Sequence, residues 1–168
     1  NSPEDLESGR LTFLNQTHEL GWPVDWSPEG ASLLLKFNLH YFNYLHLLDA
    51  RRQEGLCLDW MASNTNRRGI AWHPYPVSLR IINWCRADSE QTEIQKSVYE
   101  QAAYLYRNAE FYHPANHYLE NARALIFAGV YFRGAGESSK WLEKGLDVFR
   151  RELPEQILED GGYFELSP

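Results

Sequence analysis

Residues 113–132 read His113-Pro114-Ala115-Asn116-His117-Tyr118-Leu119-Glu120-Asn121-Ala122-Arg123-Ala124-Leu125-Ile126-Phe127-Ala128-Gly129-Val130-Tyr131-Phe132, and this stretch decides the fold. It opens with crowded polar groups (His113, Asn116, His117, Glu120 and Asn121) and runs into an almost wholly apolar segment rich in small residues. A helix that is apolar nearly all round is a buried helix. The chain is therefore predicted to pack other helices around this one, leaving its polar end at the mouth of a core. An anion at that mouth would meet the positive end of the helix dipole.

The flanking segments supply the companions. Residues 89–110 carry Val98, Ala102, Leu105 and Tyr106 at helical spacing, with Ser89 or Asp88 as the expected cap. Gly134-Ala135-Gly136 ends the central helix, and Ser138 or Ser139 opens another with Trp141, Leu142, Leu146 and Phe149 on one face. That helix is expected to reach about Leu153, with Pro154 at a boundary and residues 155–158 as a short sequel. Upstream, Trp72-His73-Pro74-Tyr75-Pro76-Val77-Ser78-Leu79-Arg80 leads into a helix ending near Arg86, with Val77, Ile81 and Trp84 as its buried stripe. Pro74 pushes His73 towards an extended backbone, and Pro76 suits a first helical turn. This stretch reads as a rigid loop with a snorkelling arginine or, equally, as a ligand-facing wall of His73, Tyr75 and Arg80.

Further upstream, Phe37, Tyr41, Tyr44, Leu45 and Leu48 recur at steps of three and four, which predicts one helix from Leu33 to about Arg52. Asn38, His40 and Tyr41 crowd together on it, either as satisfied core groups or as part of a site. A short helix near residues 58–62 and a polar loop over 63–69 follow. Residues 1–30 read as an irregular arm, because Gly21-Trp22-Pro23-Val24-Asp25-Trp26-Ser27-Pro28 breaks both periodicities. Trp22 and Trp26 are expected to pin that arm by burial, and residues 4–17 suit a short helix or a strand equally. No long alternating β pattern occurs. The predicted class is all-α, in antiparallel helical hairpins that stack side by side or curl into part of an (α/α) toroid.

Composition narrows the function. The chain has 168 residues, enough for one domain or a piece of a larger one, and its formal charge of −7 disfavours general nucleic-acid binding. Aromatic residues reach 14%, with six Trp and ten Tyr; such rings build cores and also platforms on which sugars rest. Cys57 and Cys85 lie far apart without metal-ligand spacing, so a free pair or a disulfide is open and no metal or cofactor is expected. No stretch approaches the roughly 20 apolar residues of a membrane span. The chain starts with Asn and carries no signal-peptide pattern, which reads as a processed product or a fragment.

Four segments, in order, resemble the heparinase II/III-like polysaccharide lyases. They are Phe37-Asn38-Leu39-His40-Tyr41-Phe42-Asn43-Tyr44-Leu45, residues 69–84 around Trp72-His73-Pro74-Tyr75-Pro76, Ala115-Asn116-His117-Tyr118-Leu119-Glu120-Asn121-Ala122, and residues 158–168 ending Gly161-Gly162-Tyr163-Phe164-Glu165-Leu166-Ser167-Pro168. The resemblance implies that residues 31–168 form part of the N-terminal incomplete toroid, which in the family precedes a β-sandwich domain. It implies an acidic, uronic-acid polysaccharide as substrate, β-elimination as the reaction, and a periplasmic or secreted setting. On the matching motif, Asn116 corresponds to the family's carboxylate-neutralising Asn, and its neighbour His117 would share that work or the base chemistry. The family's acid/base Tyr follows the Gly-Gly-x-Phe-Glu-x-Ser-Pro motif, past Pro168, so this chain by itself is expected to be inactive.

His73, Tyr75 and Arg80 are then candidates for a sugar-binding wall, with Asn38, His40 and Tyr41 behind them. Glu120, one turn after Asn116, would orient the Asn or the His, or else be an ordinary exposed helical carboxylate. Two other classes remain open at this stage. A glycoside hydrolase on the same toroid needs two carboxyl groups flanking the bond, and Asp59, Glu120, Asp160 and Glu165 show no pairing by spacing. A non-catalytic glycan-binding or scaffold domain is the third.

Overall fold

The computed structural model describes residues 2–109 and 116–156, and in it helices dominate. In chain order they are α1 (Pro3–Glu7), α2 (Leu33–Leu39), α3 (Ala50–Ser63), α4 (Pro74–Ala87), α5 (Thr92–Asn108), α6 (Asn116–Tyr131) and α7 (Ser138–Gln156). Between α1 and α2 lies a hairpin of β1 (Arg10–Phe13) and β2 (Gln16–Glu19), antiparallel, with Leu11 opposite His18. The all-α expectation holds, with this hairpin as an addition.

The arm thus contains both a helix and strands. Its hairpin turn places Leu14 and Asn15 at φ of 47° and 60°. Such a turn is usually written with Asn-Gly or Asp-Gly, so Leu-Asn gives little sequence signal. Leu6, Leu11, Leu20, Val24 and Trp26 from the arm enter the same hydrophobic core as the helices. Trp26 pins the arm as expected, but Trp22 stays 47% exposed.

Between residues 33 and 52 the expected single helix is broken. α2 stops at Leu39, a short 3-10 turn spans Leu45–Leu47, and α3 begins afresh after Asp49, whose carboxylate accepts from the Arg52 amide. The pivot is Phe42, in the left-handed region at φ 61° yet fully buried. That conformation is costly for a bulky residue. Packing holds it: the Phe42 ring stacks on Trp26 at 5.4 Å and meets Trp84 edge-on at 5.2 Å. The short helix expected near residues 58–62 is the last turn of the longer α3.

Two smaller expectations shift, while α4 matches its own: it starts at Pro74 with Pro76 in its first turn and His73 extended before it. Ser89 and Asp88 do not cap α5: Gln91 occupies that place, while Asp88 closes α4 at φ 47°. Pro154 lies inside α7, which continues to Gln156 without a boundary.

The helix α6 packs most extensively on α7 and α4. Small residues permit the closeness. A Cβ on Gly129 would stand 2.7 Å from the Leu142 backbone nitrogen, and one on Gly145 would stand 2.7 Å from the Ala122 carbonyl oxygen. On the other side Asn121, fully buried, donates from Nδ2 to Ser78 Oγ at 3.0 Å, and Ser78 donates to the Pro74 carbonyl at 2.9 Å. This polar link fixes the start of α6 against the first turn of α4. Cys57 and Cys85 are both free and buried.

Candidate active site

The link through Asn121 brings the N-terminal ends of α4 and α6 together. Tyr75, in the first turn of α4, lies flat against His117, in the first turn of α6, with ring centroids 4.2 Å apart and planes at 24°. Tyr41, from the segment after α2, meets Tyr75 edge-on at 5.6 Å. His73 meets Phe37 of α2 edge-on at 5.2 Å. Three distant stretches of sequence therefore meet at one half-buried mouth.

The mouth has a definite protonation pattern. Burial pushes the Tyr41 hydroxyl up to about 12, helped by Tyr75, and burial followed by the Glu120 charge raises Tyr75. Both phenols stay protonated at neutral pH and serve as hydrogen-bond donors. Burial raises the half-buried Glu120 carboxyl, while Arg123, 3.0 Å away, opposes that shift. The first turn of α6 also directs the positive end of its helix dipole at this mouth. Together these groups suit an anionic, hydroxyl-rich ligand.

The sequence candidates separate into two sets. His73, Tyr75, Tyr41, His117 and Glu120 are all half-buried, and Tyr41, Tyr75, His117 and Glu120 form one cluster. The backbone of Asn116 opens α6, while its side chain lies outside the described residues, as do His113 and the motif over 158–168. Asn38 turns back on its own helix, donating from Nδ2 to the Leu34 carbonyl at 2.9 Å.

His40 and Arg80 require correction as wall residues, because both are in the core, at 3% and 0% exposure. Arg80 lies with its guanidinium carbon 3.8 Å over the Trp60 ring and donates from Nε to Gln101 Oε1 at 2.7 Å. Its Nη1 reaches the His40 carbonyl at 3.3 Å. The reason lies in the broken helix. When α2 stops, its last carbonyls lose their helical partners, and side chains replace them. Tyr44 donates to the Leu39 carbonyl at 2.8 Å, Arg80 to that of His40, and Asn83 to that of Tyr41 at 2.8 Å. Burial pushes Arg80 down to about 9, still charged at neutral pH. Burial, then the Arg80 charge, pushes His40 down to about 3, and its Nδ1 accepts from Trp60 Nε1 at 3.0 Å. A neutral His40 is what that hydrogen bond requires. Asn83, Ser78 and Asn121 were not singled out as positioning residues by the sequence; their signal was a polar side chain inside an apolar helical run.

Comparison with known proteins now decides the family. Residues 56–168 match the family described as heparinase II/III N-terminus, more than half of the chain. The chain belongs to that family. A heparin-sulfate lyase of Bacteroides stercoris is 42% identical over 53 residues, covering 32% of this chain and 8% of the lyase. A heparin-sulfate lyase of Pedobacter heparinus is 37% identical over 76 residues, covering 45% of this chain and 11% of the lyase. Among solved structures, heparan sulfate lyase HepC of Pedobacter heparinus superposes with a TM-score of 0.82 at 22% identity, covering 99% of this chain and 30% of HepC. A heparinase III gives a TM-score of 0.80 at 20% identity, covering 99% of this chain and 33% of that one. These structures speak for the fold: the chain is part of a heparinase helical toroid. It spans at most about a third of the length of the relatives it matches. Among the described residues no cluster of His, Cys, Asp and Glu is placed to hold a metal, and no helix is long and apolar enough to cross a membrane.

Proposed function

We propose that this heparinase-like domain supplies one side of a β-elimination site for an acidic, uronic-acid polysaccharide. One observation carries the reading: His117, beside the motif residue Asn116, is held face-to-face on Tyr75 where two helix N-termini converge. Elimination from a uronide removes the C5 proton, forms a C4=C5 double bond from those electrons, and expels the C4 oxygen as a protonated hydroxyl. Negative charge develops on the C5 carboxylate as the proton leaves. Donors fixed in advance around that group lower the barrier. In this reading the Asn116 amide binds the carboxylate, while His117 shares that charge or accepts the C5 proton. Tyr75, Tyr41 and His73 form the sugar-facing wall, Asn38 stands behind it, and Glu120 with Arg123 sets the local charge.

The same reading treats residues 1–30 as an arm packed on the partial toroid of residues 31–168. It assigns delivery of the proton to the leaving oxygen to a tyrosine past Pro168, and a β-sandwich domain of the same protein as the partner. The chain alone is then inactive. The test uses the complete protein, incubated with heparan sulfate and with alginate. A lyase generates unsaturated uronides, read by ultraviolet absorbance, whereas a hydrolase generates reducing ends without them. Asn116→Ala is expected to abolish the absorbance; unchanged turnover in that variant removes Asn116 from the mechanism.

A further inference from the structure

Five of the six tryptophans are buried: Trp26, Trp60, Trp72, Trp84 and Trp141. Trp22 alone is 47% exposed, yet its ring is anchored. Its indole Nε1 donates to the Glu7 carbonyl at 3.0 Å. The loop around it is tied to the arm and to α3: the amides of Leu20 and Gly21 both donate to the Gly9 carbonyl, and the Val24 amide donates to Asp59 Oδ2. Gly9 and Gly21 touch so closely that a Cβ on Gly9 would stand 2.7 Å from the Gly21 carbonyl oxygen. A large aromatic surface is thus held in water on a fixed loop, where burial would have been the favourable outcome.

The ring borders a groove of about 610 Å³, between the arm and the first turns of α3. This is within the range of about 300–1,000 Å³ typical of small-ligand sites. Pro23 and Trp22 form its flat apolar side. Glu7, Asp49, Arg51, Arg52 and Asp59 form the polar side. Arg52 is fixed between Glu7, at 3.0 Å, and Asp49. Asp59 is fixed through Oδ2, which accepts from Val24 and from Trp26 Nε1 at 2.8 Å, leaving Oδ1 for a ligand. Arg51 is exposed and available.

We propose that this groove is a second carbohydrate site, taking a neutral pyranose unit stacked on Trp22. Three carboxylates face two guanidinium groups, so the site carries no net positive charge to attract a polyanion. A pyranose ring offers one face of C–H bonds to an aromatic platform and a rim of hydroxyls that both donate and accept. Alternating carboxylate and guanidinium groups match that rim. A peptide would need deeper slots for side chains, and the aliphatic lining, Leu48 and Leu56, is buried. The site shares no residue with the Tyr75–His117 mouth, so it stands whether or not the elimination reading does.

The test is calorimetric titration of the protein with cellotriose and with chitotriose, followed by fluorescence from the exposed indole. Binding of either is expected, weakened about tenfold or more by Trp22→Ala, in line with the loss of an aromatic anchor. Arg51→Ala, a surface change that touches no fold contact, is expected to weaken it less. Asn116→Ala should leave it unchanged. Failure of both sugars to bind at millimolar concentration, or equal binding by Trp22→Ala with its fold intact, overturns the proposal. Preferential binding of heparan sulfate oligosaccharides in the groove would also overturn it.

Discussion

The molecule contains two clusters built from the same kinds of side chain, and they behave oppositely. Around Arg80 a guanidinium, a histidine and several tryptophans are sealed from water, with the Arg80 Nε and Nη1 and the His40 Nδ1 bonded within the fold. Around Tyr75 a histidine, two tyrosines and Glu120 are half-buried, and Glu120 pairs with the exposed Arg123. A charge placed in the dry cluster is a structural strut, because desolvation is offset there by stacking and two carbonyl or amide acceptors. The groups of the wet cluster keep contact with water. Residue type alone does not distinguish the two; access to water does.

Breaking the dry cluster should cost most. Trp60→Ala removes the ring beneath Arg80 and the donor to His40, and should destabilise the fold by about 3–5 kcal/mol, measured by urea unfolding. A loss below about 1 kcal/mol would mean the cluster is not a strut.

Acid should probe the same cluster without mutation. His40 binds its proton only near pH 3 in the fold, against 6.5 for the ordinary group. The unfolded chain therefore binds more protons between those values, and stability falls as pH drops from about 6.5 towards 3, by up to about 1.4 kcal/mol per pH unit. His40→Gln, which still offers an oxygen to Trp60, should flatten this limb of the stability–pH curve. An unchanged slope would assign the acid sensitivity to other groups.

The wet cluster should show the smallest effect on stability and a larger one on function. Tyr75→Ala should cost about 1 kcal/mol or slightly more, the scale of one aromatic pair with partial burial, while reducing the proposed elimination by the complete protein. Tyr75→Phe should retain the stack on His117 and most of the turnover if the ring, not the hydroxyl, positions the imidazole. Equal losses in the two variants would make the hydroxyl the working part.

Much of the fold was legible from the chain. The stripe Val77, Ile81 and Trp84 is buried as the spacing requires, as are Val98, Ala102 and Leu105. The apolar run after Asn121 does form a central helix between two others. Less of the site was legible. Tyr75 and His117 were both candidates, yet nothing local indicated that their rings would stack. For His40 and Arg80 the sequence left a buried and a ligand-facing reading open, because helical periodicity through Tyr41 and Tyr44 concealed the break after Leu39.

The sequence by itself determined the helices from α4 to α7 and their order, since these follow from spacing, prolines and small residues within a few turns. Tertiary structure alone decided that Phe42 turns the chain in the left-handed region, that Arg80 points inward to cap the His40 carbonyl, and that Trp22 remains in water. Each of those outcomes depends on contacts between residues 15 or more positions apart. Periodicity is a local property, and it carries no information on which distant group will satisfy a carbonyl or cover a ring.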